Sequence, residues 1–432
     1  MVEISPFKGT TYNKEKIGEL DKVMSPPYDI ISDEMQNELY EKHPNNFVKL
    51  ILGKQFPTDT DENNRYSRAK ELFNEWQKNS IFIESEKSAI YPYKIKYTIN
   101  NETKTMNGFF VLLKLDLDYT LVKAHEKTLS KPKADRLNLI RACNANLEPI
   151  QLLYIDKDDT IRKKIDKALA KPIVSVKGYD GFIHKLWKLE DEHVISQIVD
   201  ELHGEILFIA DGHHRYQTAI NFAQEKKEKT GVTDDNASFN YRMVILVNMF
   251  DKGLAILPTH RLITMPALNL DNLLQKLKEL FTVEERTVES TNYNDIGKGI
   301  MRDIETKNEH KFALYCKKKY YILTLKDEGV MDKFAGERSH IWRTLDVSIL
   351  HKIILEQIMG INESNLEDHV KYTRVDGEAV QFVEEGRFNI SFLMNATKIE
   401  ELKAIAEAGE HMPQKSTYFL PKMLSGLVMY KM

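Results

Sequence analysis

The sequence has few of the residues that mark specialised classes of protein. Its 432 residues include two cysteines, Cys143 and Cys316, too few for a disulfide framework or a zinc ribbon. Glycine (19) and proline (13) are sparse, which excludes collagen-like and linker-dominated chains. We expect a globular protein whose two thiols are buried in a reducing compartment.

Long apolar runs are also missing. The most apolar stretch, GFFVLLKLDLD from Gly108, is interrupted by Lys114 and is shorter than the ~20 residues needed to cross a bilayer. The opening residues, MVEISPFKGT, include Glu3 and no apolar core of signal-peptide length. We therefore expect a soluble, cytoplasmic protein without a membrane partner.

Neither sign of charge dominates. The 61 basic and 65 acidic side chains give a formal charge of −4, so nothing in the composition favours a nucleic-acid partner. Apolar residues make up 42% of the chain, which excludes a disordered protein and provides for a real core.

Apolar residues recur with both helical and strand periods, so the sequence predicts an α/β or α+β fold. Their spacing predicts a helix over 66–78 and a long helix that ends at Gly360. At roughly 150 residues per domain, the length suggests two or three domains. We predict a first domain over 1–265 and a C-terminal α+β domain over 266–432.

Two local signals predict a turn and a helix start. Asn100-Asn101 lies between two alternating runs, which indicates a β-hairpin. Thr397 is followed three residues later by Glu400, the spacing of a capping box.

The most informative unit is ILFIADGHHRYQTAINFAQEKKEK. Residues 206–210 predict an internal strand, Asp211-Gly212 predicts a turn, and we expect a helix to begin within two residues of His214. Polar groups that follow a buried strand in this way are typical of a binding site.

The residues at this helix start indicate an anion site. Free N–H groups at a helix start attract a phosphate or a carboxylate, whereas the helix dipole opposes a cation there. A bound anion would explain why the cationic residues His213, His214 and Arg215 stand at this position. Asp211 would hold magnesium, act as a base, or cap the helix.

A second candidate group is His125-Glu126-Lys127-Thr128. Glu126 is a candidate general base, and His125 a candidate contact to substrate, phosphate or metal. The segment is not the HExxH zinc motif, because the second histidine is absent. The alternative is an exposed charged loop.

Three further residues are candidates from their local settings. Arg261 follows His260 near the end of a predicted strand and would supply a bidentate clamp for phosphate, or simply face water. Asp29 follows two prolines and would bind magnesium or a substrate amine, or stabilise its own turn. His351 lies inside an amphipathic helix and is expected in a core or an interface.

The segment ADGHHRYQTA resembles the signature of the ParB/sulfiredoxin superfamily, most of all its free serine kinase branch. In that superfamily this loop and helix start bind nucleotide phosphates. The resemblance implies a ParB/sulfiredoxin-like mixed-sheet core in the N-terminal part, with Gly212, His213, His214 and Arg215 at the phosphates.

The chain as a whole resembles the uncharacterised DUF1015 family. The resemblance is carried by separated motifs that span most of the sequence: SPPYDIIS (25–32), AHEKT (124–128), ADRLNL (134–139), NANLEPIQLLY (144–154), ADGHHRYQTA (210–219), LPTHRLI (257–263), LDVSILHKIILE (345–356) and PQKSTYFLPKMLSGLV (413–428).

The leading hypothesis is a phosphotransferase, a small-molecule kinase. It would bind ATP or ADP at the strand–helix unit, with magnesium at Asp211, and would act on a small metabolite that bears a hydroxyl group. The candidates in each role are Glu126, Asp211 and His213 for catalysis, Gly212, His213, His214, Arg215 and Arg261 for phosphate, and Asp29, His125 and His260 for substrate.

Two other hypotheses stay open. A metal-dependent hydrolase would draw imidazole and carboxylate ligands from Asp211, His213, His214, His125 and His260. A non-catalytic nucleotide-binding regulator would follow ParB itself, although the sequence has no recognisable helix-turn-helix. The nucleotide, the acceptor and the oligomeric state, a homo-oligomer included, are not set by the sequence.

Two structural expectations follow from the kinase hypothesis. Asp29, Glu126, Arg215 and Arg261 are expected in a common cleft, because reacting groups must lie within about one ligand length. Arg215 is expected to oppose the helix dipole, so that replacing it by alanine leaves the melting temperature unchanged or slightly raised.

Overall fold

The computed structural model describes residues 2–99, 102–126, 130–306 and 308–432, with the backbone alone at 130–132. It divides into two compact units. Unit 1 comprises Met1–Ala124, Thr128–Ala255 and Pro421–Met432, and unit 2 comprises His125–Lys127 and Ile256–Leu420. The units are not consecutive halves, because the C-terminal segment belongs to unit 1 and residues 256–265 to unit 2.

Strands occur in both units. In chain order they are β1 (Ile4–Ser5), β2 (Thr10–Tyr12), β3 (Phe82–Glu84), β4 (Tyr91–Ile99), β5 (Glu102–Lys114), β6 (Val122–Lys123), β7 (Ala145–Asn146), β8 (Ile150–Tyr154), β9 (Val174–Lys177), β10 (Ile183–Leu186), β11 (Leu207–Asp211), β12 (Tyr241–Asn248), β13 (Ala255–Leu257), β14 (His260–Ile263), β15 (Phe281–Thr287), β16 (Lys311–Cys316), β17 (Lys319–Leu325), β18 (Val370–Thr373), β19 (Ile390–Met394), β20 (Tyr418–Leu420) and β21 (Tyr430–Lys431).

Helices alternate with these strands. They are α1 (Lys14–Ile17), α2 (Asp33–Lys42), α3 (Val48–Ile51), α4 (Arg65–Lys78), α5 (Ser130–Cys143), α6 (Thr160–Ala168), α7 (Glu192–Leu202), α8 (His213–Thr230), α9 (Leu270–Leu280), α10 (Tyr293–Ile304), α11 (Val330–Ala335), α12 (His340–Arg343), α13 (Asp346–Ile349), α14 (Leu366–His369), α15 (Asp376–Glu384) and α16 (Ile399–Glu407), with a π-helical segment at Leu350–Ile358.

Unit 1 is built on a large mixed sheet. Its order is β6-β11-β8-β12-β5-β4-β10-β9, with β1 beside β5. β6–β11 and β8–β12 pair in parallel, and the other pairs along this order are antiparallel. Side chains such as Ile150, Leu152, Ile209 and Val244 form a core on one face, against which Tyr216 of α8 packs. A mixed-sheet α/β fold is therefore confirmed.

Unit 2 has a second sheet, of order β15-β17-β16-β19-β14-β18, in which every pair is antiparallel. Helices α10 and α15 cover one face. Ile300 and Val380 from these helices pack with Leu262 and Leu393 of the sheet. Successive side chains of a strand point to opposite faces, so Leu262 lies on the helix-covered face and its neighbour Arg261 on the other.

The strand–turn–helix prediction at residues 206–214 is confirmed. β11 lies between β6 and β8, and α8 begins at His213. Gly212 joins them with a φ of 94°, a backbone conformation that side chains with a Cβ rarely adopt. Tyr216, Ala219, Ile220 and Ala223 are buried, as the helical period predicts.

Several local predictions have mixed outcomes. The runs flanking Asn100-Asn101 pair as antiparallel β4 and β5, although the turn itself lies outside the described residues. The helix over 66–78 is confirmed as α4. The capping box at Thr397 is wrong by one residue: Glu401 accepts the Lys398 N–H (2.8 Å), while the Thr397 hydroxyl donates to the Ser416 carbonyl (2.9 Å).

The long helix that ends at Gly360 is present with an altered backbone. Its first turn is α13, and the following Leu350–Ile358 is π-helical rather than α-helical. Apolar periodicity cannot separate the two, because both bury one face of a helix. The two thiols also differ from expectation, since Cys143 is buried but Cys316 is half-buried.

Candidate functional site

Asp211, the last residue of β11, is the centre of a charged cluster in unit 1. Its Oδ1 accepts a hydrogen bond from the Lys422 ammonium, and its Oδ2 accepts one from the Arg215 guanidinium. Burial alone would raise the pKa of Asp211, but the positive charges of Lys422 and Arg215 outweigh burial and hold the pKa well below its usual range. Asp211 is therefore an ionised carboxylate between two cations.

Arg215 does not project from the helix start into water. It is 6% exposed, and it donates to the Pro149 carbonyl as well as to Asp211. The expectation that its alanine variant keeps the melting temperature considered only the helix dipole and took Arg215 as an unpaired cation, which it is not. Removing a buried, ion-paired arginine leaves polar partners unpaired, which outweighs the dipole term of about 0.3–1 kcal/mol.

Glu148, just before β8, is a second buried carboxylate of the cluster. Its Oε1 accepts from the Ser425 hydroxyl (3.0 Å) and the Tyr28 N–H (3.3 Å). Its Oε2 accepts from Arg136 (3.3 Å), whose guanidinium stacks 3.9 Å from the centre of the Tyr28 ring. Glu148 thus joins α5, the turn at residue 28 and the C-terminal segment.

Arg242, at the start of β12, is the residue of this charged cluster whose charge is least compensated by partners. It is 6% exposed, it donates to the Glu148 main-chain oxygen (3.0 Å), and its Nε has no acceptor among the described residues. Burial first, and then the positive charge of Arg215, lower the pKa of Arg242 to about 9, against the carboxylate of Glu148. The shift therefore comes first from burial, and neighbouring positive charge adds to it.

The cluster contains more buried cations than carboxylates. Arg136, Arg215, Arg242 and Lys422 are buried against two carboxylates, Glu148 and Asp211. The neighbouring pair of Arg65 and Asp135 adds one charge of each sign, so the excess of positive over negative side chains remains two. The exposed carboxylate of Asp29 also acts on Arg215.

A small cavity lies inside this cation cluster, a name used below for Arg136, Arg215, Arg242 and Lys422. Its volume is about 30 Å³, enough for one small polar group, and three of the four cations line it together with Glu148 and Thr218. A buried excess of positive charge around an internal space is an arrangement that an anionic oxygen group would complete.

Gln151 is a further polar residue close to Asp211. It stands opposite Asp211 in the β8–β11 pairing and is fully buried. In the part of the chain that the structure describes, neither atom of its side-chain amide has a hydrogen-bond partner. An unpaired buried amide is costly, and a bound water or ligand atom at this position would supply the missing hydrogen bonds.

The other predicted residues of the unit also lie around Asp211. His213 is buried and its positive charge contributes to the lowered pKa of Asp211, while His214 is half-buried. The N-cap of α8 is Gly212, which has no side chain to cap the helix. A Cβ added to Gly212 would lie 3.0 Å from Nε of Arg215, so this glycine also makes room for the arginine.

The surroundings of Asp211 do not fit a resident magnesium ion. Both of its oxygens accept from cations, which would have to leave before a metal could bind. Across the described ranges, no three His, Cys, Asp or Glu side chains are grouped as metal ligands are.

His125 and Glu126 belong to unit 2, where they hold the segment 412–417. The Met412 N–H donates to the His125 carbonyl (2.8 Å), and the Lys415 N–H donates to Oε1 of Glu126 (3.1 Å). His125 Nε2 is 3.0 Å from the Thr417 hydroxyl. Lys127 and Thr128 of the same motif lie outside the described residues.

His260 and Arg261 lie on opposite faces of the unit 2 sheet. His260 is on the side of α15, where its Nε2 is 2.9 Å from Oδ1 of Asp376. Arg261, fully buried on the other side, donates to His351 Nε2 (3.2 and 3.3 Å) and to the carbonyls of Thr259 and Lys415 (3.4 Å for the latter). Adjacent positions in a strand therefore separate this His-Arg pair.

The predicted site residues are thus distributed over both units. Asp29, Asp211 and Arg215 belong to unit 1, whereas Glu126 and Arg261 belong to unit 2. Their convergence in one cleft stays a prediction, as does the role of Arg261 as a phosphate clamp. His351 is half-buried and bonded to Arg261, in agreement with its expected place inside the fold.

A family model, described as a protein of unknown function, matches residues 4–348. The chain belongs to the DUF1015 family. Residues of the cation cluster lie in motifs that carry the resemblance to this family: Arg136 in ADRLNL, Arg215 in ADGHHRYQTA and Lys422 in the C-terminal motif. No curated protein matches the sequence.

Solved structures give weaker likenesses to this DUF1015 chain. A free serine kinase in complex with AMP is 15% identical with a TM-score of 0.35, and a variant of a free serine kinase in complex with ADP is 14% identical with a TM-score of 0.36; each match covers 72% of this chain and 87% of the other. A conserved hypothetical protein from Pyrococcus furiosus is 14% identical with a TM-score of 0.34, over 72% and 90%. Likenesses of this strength do not carry a ligand over to this chain.

Sequence reasoning missed Arg136 and Arg242 of the cation cluster, and the neighbouring carboxylate of Glu148, as site residues. Glu148 and Arg136 lie in motifs quoted above but were given no role in the site, and Arg242 was not singled out. A charged residue inside the otherwise apolar strand YRMVILVN was a usable signal, because a buried arginine needs partners. Within the described residues, no helix is long and apolar enough to cross a membrane.

Proposed function

We propose that this DUF1015 protein is a nucleotide-binding phosphotransferase whose cation cluster receives phosphate oxygens of ATP or ADP. The observation that carries the proposal is the buried excess of two positive charges around a cavity at the start of α8. Phosphate supplies the negative charge that this arrangement lacks, and arginine forks match phosphate geometry.

The chemistry assigned to the chain is positioning and charge stabilisation. The bond between phosphorus and the acceptor hydroxyl oxygen forms as the bond to the leaving phosphate oxygen breaks; the hydroxyl proton passes to a carboxylate base, and negative charge develops on the departing group. Arg215 and Arg242 would stabilise that charge. Lys422 and Arg215 hold Asp211 ionised, which keeps both cations in place before the ligand arrives.

The acceptor is a small metabolite with a hydroxyl group that a carboxylate would orient. Asp29 is the candidate within unit 1, because it is exposed and its charge acts on Arg215. Glu126 remains a candidate base from the sequence. Since Asp211 is already paired with two cations, no step is assigned to a metal held by the protein.

Binding is tested by thermal unfolding with ATP, ADP or pyrophosphate. We expect each to stabilise the protein; a ligand at about 100 times its Kd adds about 2.7 kcal/mol. Arg242→Met should remove most of this stabilisation while changing the ligand-free protein little, because it deletes an under-compensated buried charge. Arg141→Met is the matched control, since Arg141 is 42% exposed and pairs with Glu225.

Two outcomes would count against the site. If no phosphate compound stabilises the wild-type protein, the proposed function is wrong. If Arg242→Met is stabilised as strongly as Arg141→Met, the phosphates bind elsewhere. Transfer itself is followed by phosphorus NMR of ATP with magnesium and a pool of serine, glycerol and glucose, in which a new phosphomonoester signal is expected.

A further inference from the structure

Unit 2 contains a cavity that the proposed function does not use. Its volume is about 130 Å³, and its walls come from α12, the π-helical segment Leu350–Ile358 and the chain segment 411–414. An apolar cavity of roughly 150 Å³ accommodates a molecule of the size of benzene. The space therefore suits one six-membered ring with a small substituent.

The wall formed by the π-helical segment is unusual. Such segments are rare, commonly a single turn, and frequent at functional sites, whereas this one runs over nine residues. His351, Lys352 and Glu356 of the segment all line the cavity. The local backbone thus places two charged side chains and one imidazole at the same space.

The imidazole of His351 has a fixed tautomer. Arg261 donates to its Nε2 through two nitrogens, at 3.2 and 3.3 Å, so Nε2 must carry the lone pair. Burial and the charge of Arg261 lower the pKa of His351 well below its usual value, which keeps the ring neutral. The proton then sits on Nδ1, for which the described residues provide no acceptor.

The charged groups of the walls are already paired. Lys352 lies 2.8 Å from Glu356, and Arg338 lies 3.9 Å from Glu337 and stacks on Trp342 at 5.3 Å. Glu363 and His411, also at the walls, have partners. One directional group that the walls offer a ligand is thus the neutral Nδ1–H donor of His351, beside apolar surface from Trp342, Ile361 and Leu366.

The wall formed by the chain segment 411–414 is held in place by hydrogen bonds. Met412 is bonded to the His125 carbonyl, and the Trp342 indole N–H donates to the His411 carbonyl (2.9 Å). Lys415 connects the same segment to Glu126 and to Arg261. The His125-Glu126 motif therefore positions a wall of the cavity.

We propose that this cavity binds a small neutral organic molecule, about the size of one substituted six-membered ring, whose carbonyl or ring-nitrogen acceptor bonds to Nδ1–H of His351. The binding does not depend on the phosphate site of unit 1. Each of the two sites can therefore fail without the other.

The probes are nicotinamide and uracil, which carry acceptors on a six-membered ring, and toluene, which has none. Binding to the full-length protein is measured by saturation-transfer NMR and by tryptophan fluorescence, to which Trp342 at the cavity contributes. We expect the two acceptor-bearing probes to bind up to about tenfold more tightly than toluene, since one hydrogen bond to a neutral group is worth up to about that factor.

Two variants separate the donor from the contact with Arg261. His351→Gln places an amide oxygen near the former Nε2 and loses the Nδ1 donor, so it should weaken nicotinamide binding about tenfold and leave toluene binding unchanged. His351→Asn places an amide near the former Nδ1, so it should retain nicotinamide binding within a few-fold and lower the melting temperature.

Three results would overturn the proposal. The first is no binding of nicotinamide or uracil at millimolar concentration. The second is toluene binding as tightly as nicotinamide, which would mean that the site selects apolar shape alone. The third is unchanged nicotinamide binding in His351→Gln. The comparison between probes needs no variant, so it decides the question even if a substitution prevents folding.

Discussion

Two buried arginines, Arg215 in unit 1 and Arg261 in unit 2, have opposite electrostatic surroundings. Arg215 bonds a carboxylate and lies near Arg242, Arg136 and Glu148, whose charges act on one another. Arg261 bonds main-chain oxygens, a thioether sulfur and a neutral imidazole. Sequence alone gives the two arginines the same expected role, because each follows a histidine, Arg215 at a helix start and Arg261 near the end of a predicted strand.

The comparison shows that the partners of a buried arginine say more about its role than its burial does. A guanidinium whose donors all reach neutral acceptors is satisfied, and it holds neighbouring segments together. A group of guanidinium and ammonium side chains with too few carboxylates remains electrostatically incomplete, and an anion from solution can complete it. The first description fits Arg261 and the second fits the cation cluster.

The largest expected effect comes from removing the carboxylate that holds two cations of the cluster. Asp211→Asn leaves Lys422 and Arg215 facing each other without their shared counter-charge, so we expect the free energy of unfolding to fall by about 3–5 kcal/mol. Urea unfolding measures it, with Asp158→Asn, an exposed carboxylate of the same unit, as the control. A loss equal to that of the control would mean that the charges of the cluster are screened by water.

Part of this contrast could be predicted from the sequence. Apolar alternation and the strand–Asp-Gly–helix pattern located β11 and α8, because local periodicity and turn chemistry determine such elements. An anion site at this helix start stays a prediction from the sequence. What the sequence could not show is that Arg215 turns back to Asp211, since this requires knowing that Lys422, 211 residues later, reaches the same carboxylate.

The rest depended on contacts between distant segments. His260 and Arg261 are adjacent in sequence, yet the strand directs them to opposite faces of the sheet. The two side chains therefore contact different residues, Asp376 and His351, and do not form one site. Glu126 looks like a base in a charged loop, but its carboxylate accepts a backbone N–H from Lys415. The tautomer of His351 follows only from its contact with Arg261.

A smaller effect is expected when the second arginine is removed. Arg261→Met fills a similar volume and leaves neutral acceptors without a donor, so we expect a loss of about 1–3 kcal/mol in the free energy of unfolding. Stabilisation by ADP should be retained, unlike in Arg242→Met. If Arg261→Met also abolished stabilisation by ADP, Arg261 would belong to the phosphate site, and the contrast between the two arginines would fail.

The smallest effect is a dependence of stability on pH that His351 should cause. Its pKa is lowered in the folded protein by burial and by Arg261, whereas in the unfolded chain it is near the ordinary value of about 6.5. Below that pH the unfolded state binds a proton that the folded state does not, so folding stability falls as the pH falls. The contribution of the neutral His351 ring to the free energy of unfolding is complete above about pH 6.5, and it should be smaller by ~1 kcal/mol at pH 5.5. His351→Gln has no titrating ring at this position, so its stability relative to wild type should rise between pH 7 and 5.5 in urea titrations. Parallel profiles for the two proteins would show that the ring protonates as easily in the folded chain as in the unfolded one, and the assigned Nδ1–H tautomer would then be wrong.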